Sequence, residues 1–500
     1  MDALIILAFL LPLVLATVLM LPPVVARGGL ALMPLAPLPA LALALGAPAG
    51  LTIDLPWLLL GSRYALDETV RIFLGFTAGI WLIAGMYARA YLAADPRRLS
   101  FWAFFLVTQA GNLGLCLAAD AASFYFWFAV MTFAAYGLVI HTRTDEARRA
   151  GRVYLIMAVL GETALVMGLL LQVHAAGSHL LAEMAAAPVP PAATWLLVVG
   201  FGVKVGLPLL HMWLPLAHPV APVPASAVLS GVMLKAGLLG WLRFLPLGQA
   251  APDVGFFLIA AGIVAAFLGV AAGLMQRDAK VLLAYSSVSQ MGYMTLGVGA
   301  GLVAPQLWPV LLPAILLYAV HHAMAKSALF LGVGVAKVHG GRAWVLAGMA
   351  LPAMALAGVP FTSGMAAKLQ LKSALAGLPW DGLVGLLAVA AVGTALLMAR
   401  LLLLLATESP HGGGKGLTLP WWILVILGLA LPWVQQGAVT GDALWAALWP
   451  VGLGLILVVL AVRMGIRAPR LPAGDMIIPL ERICAVRCGT AIPKSEDVLT

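Results

Sequence analysis

The stretch VKVGLPLLHMWLPLAHP (203–219) sets Lys204, His211 and His218 into an otherwise apolar run that carries three prolines. Similar groups recur at apolar depth: Glu162 in LGETALV, Lys235 in VMLKAGLLG, His321, His322 and Lys326 in AVHHAMAKSALF, and Lys368 in GMAAKLQLKSAL. In water a lysine holds its proton at neutral pH, with a pKa of about 10.4. Desolvation or a neighbouring cation lowers that affinity, and a carboxylate raises it. A row of lysines with one acidic partner is therefore a set of proton sites whose affinity can be switched. Imidazoles, which titrate near neutrality, can relay between them. His322 and Lys326 lie four apart and share a helix face. Plainer uses compete for some of these groups. A membrane histidine can be an interhelical hydrogen bond, a reading open for His211 and His321, and Glu162 can be a counter-ion that lets a lysine be inserted. Lys372, near a helix end, can reach the interface by its own length, and His218 lies beside a predicted interface.

Such groups need spans to hold them. The 500 residues are 63% hydrophobic and only 9% charged, with a mean hydropathy of +1.07, whereas soluble domains carry roughly 25% charged residues. Runs such as 4–25 and 255–275 are long enough to cross a hydrocarbon core of roughly 30 Å, which takes about 20 helical residues. The class is an all-α polytopic membrane protein. Hydrophobic runs punctuated by Pro, Gly and charge predict about 14–15 transmembrane helices. They lie near 3–24, 28–48, 68–93, 100–118, 121–141, 151–174, 193–217, 223–248, 254–275, 280–302, 308–336, 343–377, 382–406, 418–437 and 443–463.

The net charge of +9 reads as a topology signal, not as a nucleic-acid footprint. Basic residues follow spans one (Arg27), three (Arg97, Arg98), five (Arg143, Arg148, Arg149, Arg152) and nine (Arg277, Lys280). They recur after eleven (Lys337, Arg342), thirteen (Lys415) and fifteen (Arg463, Arg467, Arg470), with Arg63 and Arg243 as exceptions after even spans. The positive-inside rule then puts the N-terminus outside and the C-terminus in the cytoplasm, in a cell inner membrane. MDALIILAFL lacks the basic n-region of a cleavable signal peptide and reads as the first span.

Runs seven and twelve are too long for plain spans and both are interrupted, by Gly206-Leu207-Pro208 and by Gly358-Val359-Pro360. Proline removes a backbone donor, and freed carbonyls at membrane depth are tolerated only against protein or a wet cavity. Two breaks five spans apart suggest an inverted repeat, and in transporters such breaks point to the ion pathway. The expected organisation is helices 1–3 at 1–98, five-helix repeats at 99–250 and 251–406, two further helices at 407–465, and a tail at 466–500. Gly206, Pro208, Gly358 and Pro360 mark the breaks.

KVGLPLLHMWLPLAHPVAPVPASAVLSGVMLKAGLLGWLRF, then RDAKVLLAYSSVSQMGYM and HHAMAKSALFLGVG, closely resembles the antiporter-like membrane subunits. These occur in respiratory complex I, in Mrp-type multisubunit sodium/proton antiporters and in membrane-bound hydrogenase complexes. The likeness runs from about residue 60 to 405 and is densest at 200–335. It implies two inverted five-helix repeats with broken helices seven and twelve, and proton translocation along a central hydrophilic axis. It also implies that Lys204 is the helix-seven lysine, normally paired with a helix-five glutamate, and that Lys235 is the connecting lysine of helix eight. His321, His322 and Lys326 would line the path beyond, and Lys368 would be the exit-side residue of helix twelve. One departure matters. Where the family has a Trp-Glu pair, YFWFAVMTFAAYGLV places Phe128-Ala129. Glu162, the one acid deep in spans four to eight, is the candidate replacement.

The function this supports is a proton-translocating subunit of a larger complex, with other membrane subunits and the lipid bilayer as partners. Three cysteines (Cys116, Cys484, Cys488) give no iron–sulfur spacing, and no GxGxxG stands in a strand–helix context. No cofactor, metal site or catalytic residue is expected in this chain. A redox driver, as in an NADH:quinone oxidoreductase-like or hydrogenase complex, would lie in partner proteins. A sodium/proton antiporter subunit is a second reading, but sodium needs oxygen ligands such as carboxylates, and deep carboxylates are nearly absent, which favours protons. A third is a non-pumping scaffold docking a soluble cytoplasmic partner. A fourth, energised uptake of an inorganic substrate, would also use a soluble partner.

Overall fold

A computed structural model describes residues 2–22, 28–48, 50–59, 61–413, 416–434, 440–466, 469 and 471–472. Arg27, Lys415, Arg467, Arg470 and the tail with Cys484 and Cys488 lie outside the described residues. Helices occupy all fifteen expected positions. They are α1 (Asp2–Val18), α2 (Leu38–Gly46), α3 (Glu68–Tyr91), α4 (Arg98–Leu117), α5 (Ala121–Val139) and α6 (Asp145–Ala176). After α6 come α7a (Pro191–Val205), α7b (Trp213–Val220), α8 (Val223–Phe244), α9 (Pro252–Leu274), α10 (Ala279–Val303) and α11 (Trp308–His339). The chain continues with α12a (Ala343–Ala357), α12b (Ser363–Leu375), α13 (Asp381–Ala406), α14 (Thr418–Val434) and α15 (Gly441–Arg463).

Among the described residues, nine helices are long and apolar enough to cross a membrane, and five apolar helices are shorter. The protein is a multi-pass, all-α membrane protein. The first two spans are shorter than expected. α1 stops at Val18, ahead of Pro22, and α2 starts only after a 3-10 turn at Met33–Leu35, among Pro34, Pro37 and Pro39. Proline disfavours the helical region for the residue before it, and the cluster Pro34, Pro37 and Pro39 coincides with the late start of α2.

Between α2 and α3 the chain forms an antiparallel hairpin of β1 (Leu51–Leu55) and β2 (Ser62–Leu66), where the sequence suggested only a connection. Arg63 Nε bonds Asp54 Oδ1 at 2.6 Å, and this hydrogen bond holds the exposed Asp54 carboxyl below its ordinary value. Asp120 pins the hairpin by accepting from Arg63 N at 2.8 Å while capping α5 through Ser123 N.

α10 is the helix in which apolar composition and depth part company. Every residue from Lys280 to Leu302 is buried, although the helix carries Ser286, Ser287, Ser289, Gln290 and Thr295. It is surrounded by protein, and Ser287, Ser289, Gln290 and Thr295 find hydrogen-bond partners inside the bundle. Its closest neighbour is α9. A Cβ built on Gly262 would stand 2.6 Å from Gly292 O, and one on Gly255 would stand 2.8 Å from Gly299 O. Glycines seven apart on each helix (255, 262, 269 and 292, 299) keep that seam clear. Small residues that let backbones approach are the usual basis of helix association in lipid.

Candidate functional site: a row of buried lysines and histidines

Both interrupted spans break with the same backbone. α7a ends at Gly206 (φ 84°) and α12a at Gly358 (φ 94°), left-handed conformations that glycine adopts without steric cost. Three residues later Leu209 (φ 70°) and Phe361 (φ 64°) repeat the left-handed turn, which is strained for a side chain of that size. The proline between them, Pro208 or Pro360, needs no amide donor there.

Lys204 sits in the last turn of α7a, buried. Its ammonium lies 5.6 Å from the ring centre of Phe128, 5.5 Å from that of Tyr154 and 5.7 Å from that of Trp213. Three helices therefore build an aromatic cage, each face worth about 0.5–2 kcal/mol to a cation. Phe128 immediately precedes Ala129, which stands where the helix-five acid was expected. Tyr154 accepts a long 3.5 Å hydrogen bond from Nζ and donates to Thr132 O, and Trp213 donates to Val203 O at the break. Glu162, on α6, is buried, and neither carboxylate oxygen has a hydrogen-bond partner among the described residues. Its charge acts on Lys204 without a direct contact.

The other buried lysines rest on backbone carbonyls. α8 contains a five-residue π segment, Leu229–Met233, and Lys235 Nζ donates to Ser230 O at 2.8 Å within it. Such bulges free a carbonyl and recur at functional sites. Lys326 donates to Leu283 O of α10 at 2.8 Å. Lys368 donates to both Leu356 O and Ala357 O at 2.9 Å, capping the open carbonyl end of α12a, with Tyr293 beneath it at 5.9 Å. A cation there also meets the negative end of the half-helix dipole. An ammonium and a neutral amine can both donate to a carbonyl, whereas the ring faces around Lys204 favour the cation. Carbonyl seats thus keep a lysine in place whether or not it carries its proton.

His321 and His322 are fully buried on α11. His321 Nδ1 shares a hydrogen bond with Ser363 Oγ (2.8 Å) at the start of α12b, which joins the α11 group to the second break. Both His322 nitrogens lack hydrogen-bond partners among the described residues. Lys235 acts electrostatically on His321, His322 and Lys326, and Lys368 acts on His321. His211, also fully buried, turns its ring toward Tyr285, 6.2 Å between centres. The structure therefore gathers Lys204 with Glu162, and Lys235 with His321, His322 and Lys326, with Lys368 beyond. Among the described residues no three His, Cys, Asp or Glu side chains group closely enough to hold a metal ion.

Two residues belong with this set that sequence reasoning left aside. Lys280, read as a loop charge, is buried and donates to Ala221 O at the end of α7b at 2.6 Å. His218, placed beside an interface by its sequence position, is fully buried, stacked on Phe330 at 4.5 Å, and feels both Lys280 and Lys326. The signal that could have found Lys280 was Asp278, an N-cap residue whose carboxylate accepts from Lys280 N and Val281 N and so starts α10 just ahead of the lysine.

Residues 118–396 match the family described as NADH:quinone oxidoreductase/Mrp antiporter, TM. Hydrogenase-4 component B of Escherichia coli is 33% identical over 268 residues, covering 51% of this chain and 40% of that protein. NADH-quinone oxidoreductase subunit N of Desulforudis audaxviator is 32% identical over 295 residues, covering 56% of each. The chain spans about half the length of these curated relatives. In the solved Mrp complex from Dietzia sp., one chain superposes with a TM-score of 0.80 at 22% identity, covering 99% of this chain and 60% of that one. With its match over more than half its length, on a fold of the same kind, the chain belongs to the NADH:quinone oxidoreductase/Mrp antiporter membrane family.

Proposed function

We propose that this chain moves protons along the Glu162–Lys204–His211–Lys235–His321/His322–Lys326–Lys368 row, as a membrane subunit of a larger ion-transport complex. The observation that carries the reading is the mode of holding: at least three buried lysines sit on uncharged carbonyls, with one acid, Glu162, near the far end. A purely structural lysine would be paired, because an unpaired buried charge is costly. In this reading residues 99–250 and 251–406 act as two inverted half-channels, and His218 and Lys280 feed the row from the cytoplasmic side. The basic loops orient the chain with its N-terminus outside. Other membrane subunits are its partners, and a redox-driven or ion-coupled partner supplies the energy. Sodium is disfavoured because the row offers lysines in place of the oxygen ligands a cation needs.

The test is proton flux, followed with a pH-sensitive dye, in vesicles holding the native assembly. Lys204→Ala should lower flux about tenfold, less than the roughly 10²-fold or more that a positioned proton-transfer group contributes at full effect, while a native gel shows the complex intact. Unchanged flux would make the chain a scaffold. Glu162→Gln should lower flux severalfold, since Glu162 stands in for the helix-five acid; wild-type flux and assembly in that variant would remove Glu162 from the path.

A further inference from the structure

Lys368 is not the last lysine on its helix face. Lys372 follows four residues later, on the same side of α12b and about 6 Å further along the axis. It is half-buried, and its charge acts on Lys368. Both side chains line one small cavity between α12b, α13 and α15, of about 10 Å³, room for a single water. Gly358, at the helix break, and Ala446, Ala447 and Pro450 of α15 complete its lining. Most of α15 faces away from the protein, with 22% of its apolar window buried.

Resting on the proton-transport reading above, we propose that Lys372 is the proton-release site of this chain, reached from Lys368 through the one-water cavity beneath α15. The Lys368 ammonium gives a proton to the water in the cavity. That water passes one of its own protons to the neutral amine of Lys372, and the Lys372 ammonium then protonates bulk water at the face carrying the α12–α13 loop. One proton moves, and no electron does. Like charges one helix turn apart repel, so loading Lys368 again drives the proton on Lys372 outward. A lysine that merely reached for the interface with its long stem would not need to share a cavity with a second lysine.

The experiment uses dye-reported flux in vesicles holding the full assembly, checked by native gel, with Lys204→Ala run alongside. Lys372→Met should lower flux about tenfold or more. Lys372→Arg, which keeps the charge but does not give up a proton, should lower it as far. Lys372→His should restore much of the flux with its optimum moved to lower pH, because imidazole titrates near neutrality. Ala447→Leu, which fills the cavity and leaves both lysines in place, should also lower flux. If Lys372→Arg transports normally, Lys372 is a charge anchor and the proposal falls. It falls equally if Lys372→Met and Ala447→Leu both transport normally while Lys204→Ala does not, and proton transport then stands without it. If Lys204→Ala also transports normally, the transport reading itself is overturned and this inference goes with it.

Discussion

Substituting Lys235 with methionine is expected to cut proton flux by about 10²-fold, toward the lower end of what a positioned proton-transfer group contributes. The reason is its place between two halves. Lys204 and Glu162 belong to α7a and α6, whereas His321, His322 and Lys326 all belong to α11. Lys235 alone on α8 acts on all three α11 groups. Its seat is also unusual: Ser230 O is offered by the π segment, which the Ser230–Ser287 hydrogen bond ties to α10, while Ser327 of α11 donates to Ala227 O just ahead of it. Methionine matches the lysine stem in length and needs no partner, so the bundle should assemble. Lys235→Arg separates charge from proton transfer, because arginine stays charged. Both variants should lose flux on an intact complex. Retained flux in Lys235→Arg would mean that a fixed positive charge suffices there, and the relay would have to bypass α8.

The second large effect is on assembly. Gly292→Leu should abolish the assembled complex on a native gel, and Gly292→Ala should weaken it. Even a Cβ at Gly292 would stand 2.5 Å from Gly262 O and 2.8 Å from Ala266 N, both backbone atoms that cannot rotate away. The helices would have to separate along a seam where Gly255, Gly262 and Gly269 face α10. Overpacking costs about 1–3 kcal/mol even where side chains can yield, and here they cannot. A cost of about 3 kcal/mol shifts an equilibrium by over a hundredfold. Normal assembly of Gly292→Leu would show that α9 and α10 do not pack as described.

The order of spans was legible in the sequence because lipid imposes length and apolarity on every crossing. The breaks were legible because Gly206-Leu207-Pro208 and Gly358-Val359-Pro360 cannot continue a helix. The depth of Lys204, Lys235 and Lys326 was legible because no other charged side chain lies near them in sequence, whereas Lys368 has only Lys372 close by. What each lysine rests on was not, since carbonyls leave no mark in a sequence: Leu283 O serves Lys326 from a different helix. The cage was equally hidden. Phe128, Tyr154 and Trp213 come from α5, α6 and α7b, and aromatic residues in a membrane span are unremarkable one at a time. Lys280 misled because a lysine close to Arg277 reads as loop charge until Ala221 O is seen beneath it. The hairpin at 51–66 was missed for lack of a longer alternating pattern.

α10 bears on how the protein is made. A helix with this many hydroxyl and amide side chains gains little by leaving the protein-conducting channel for lipid on its own. α9, synthesised just before it, is strongly apolar on its outer face and carries the glycine-lined groove that α10 fills. The ribosome therefore delivers the host before the guest, and α10 can pass from channel to bundle already wrapped on one side. The helix most central to the finished protein is the one least able to enter the membrane first.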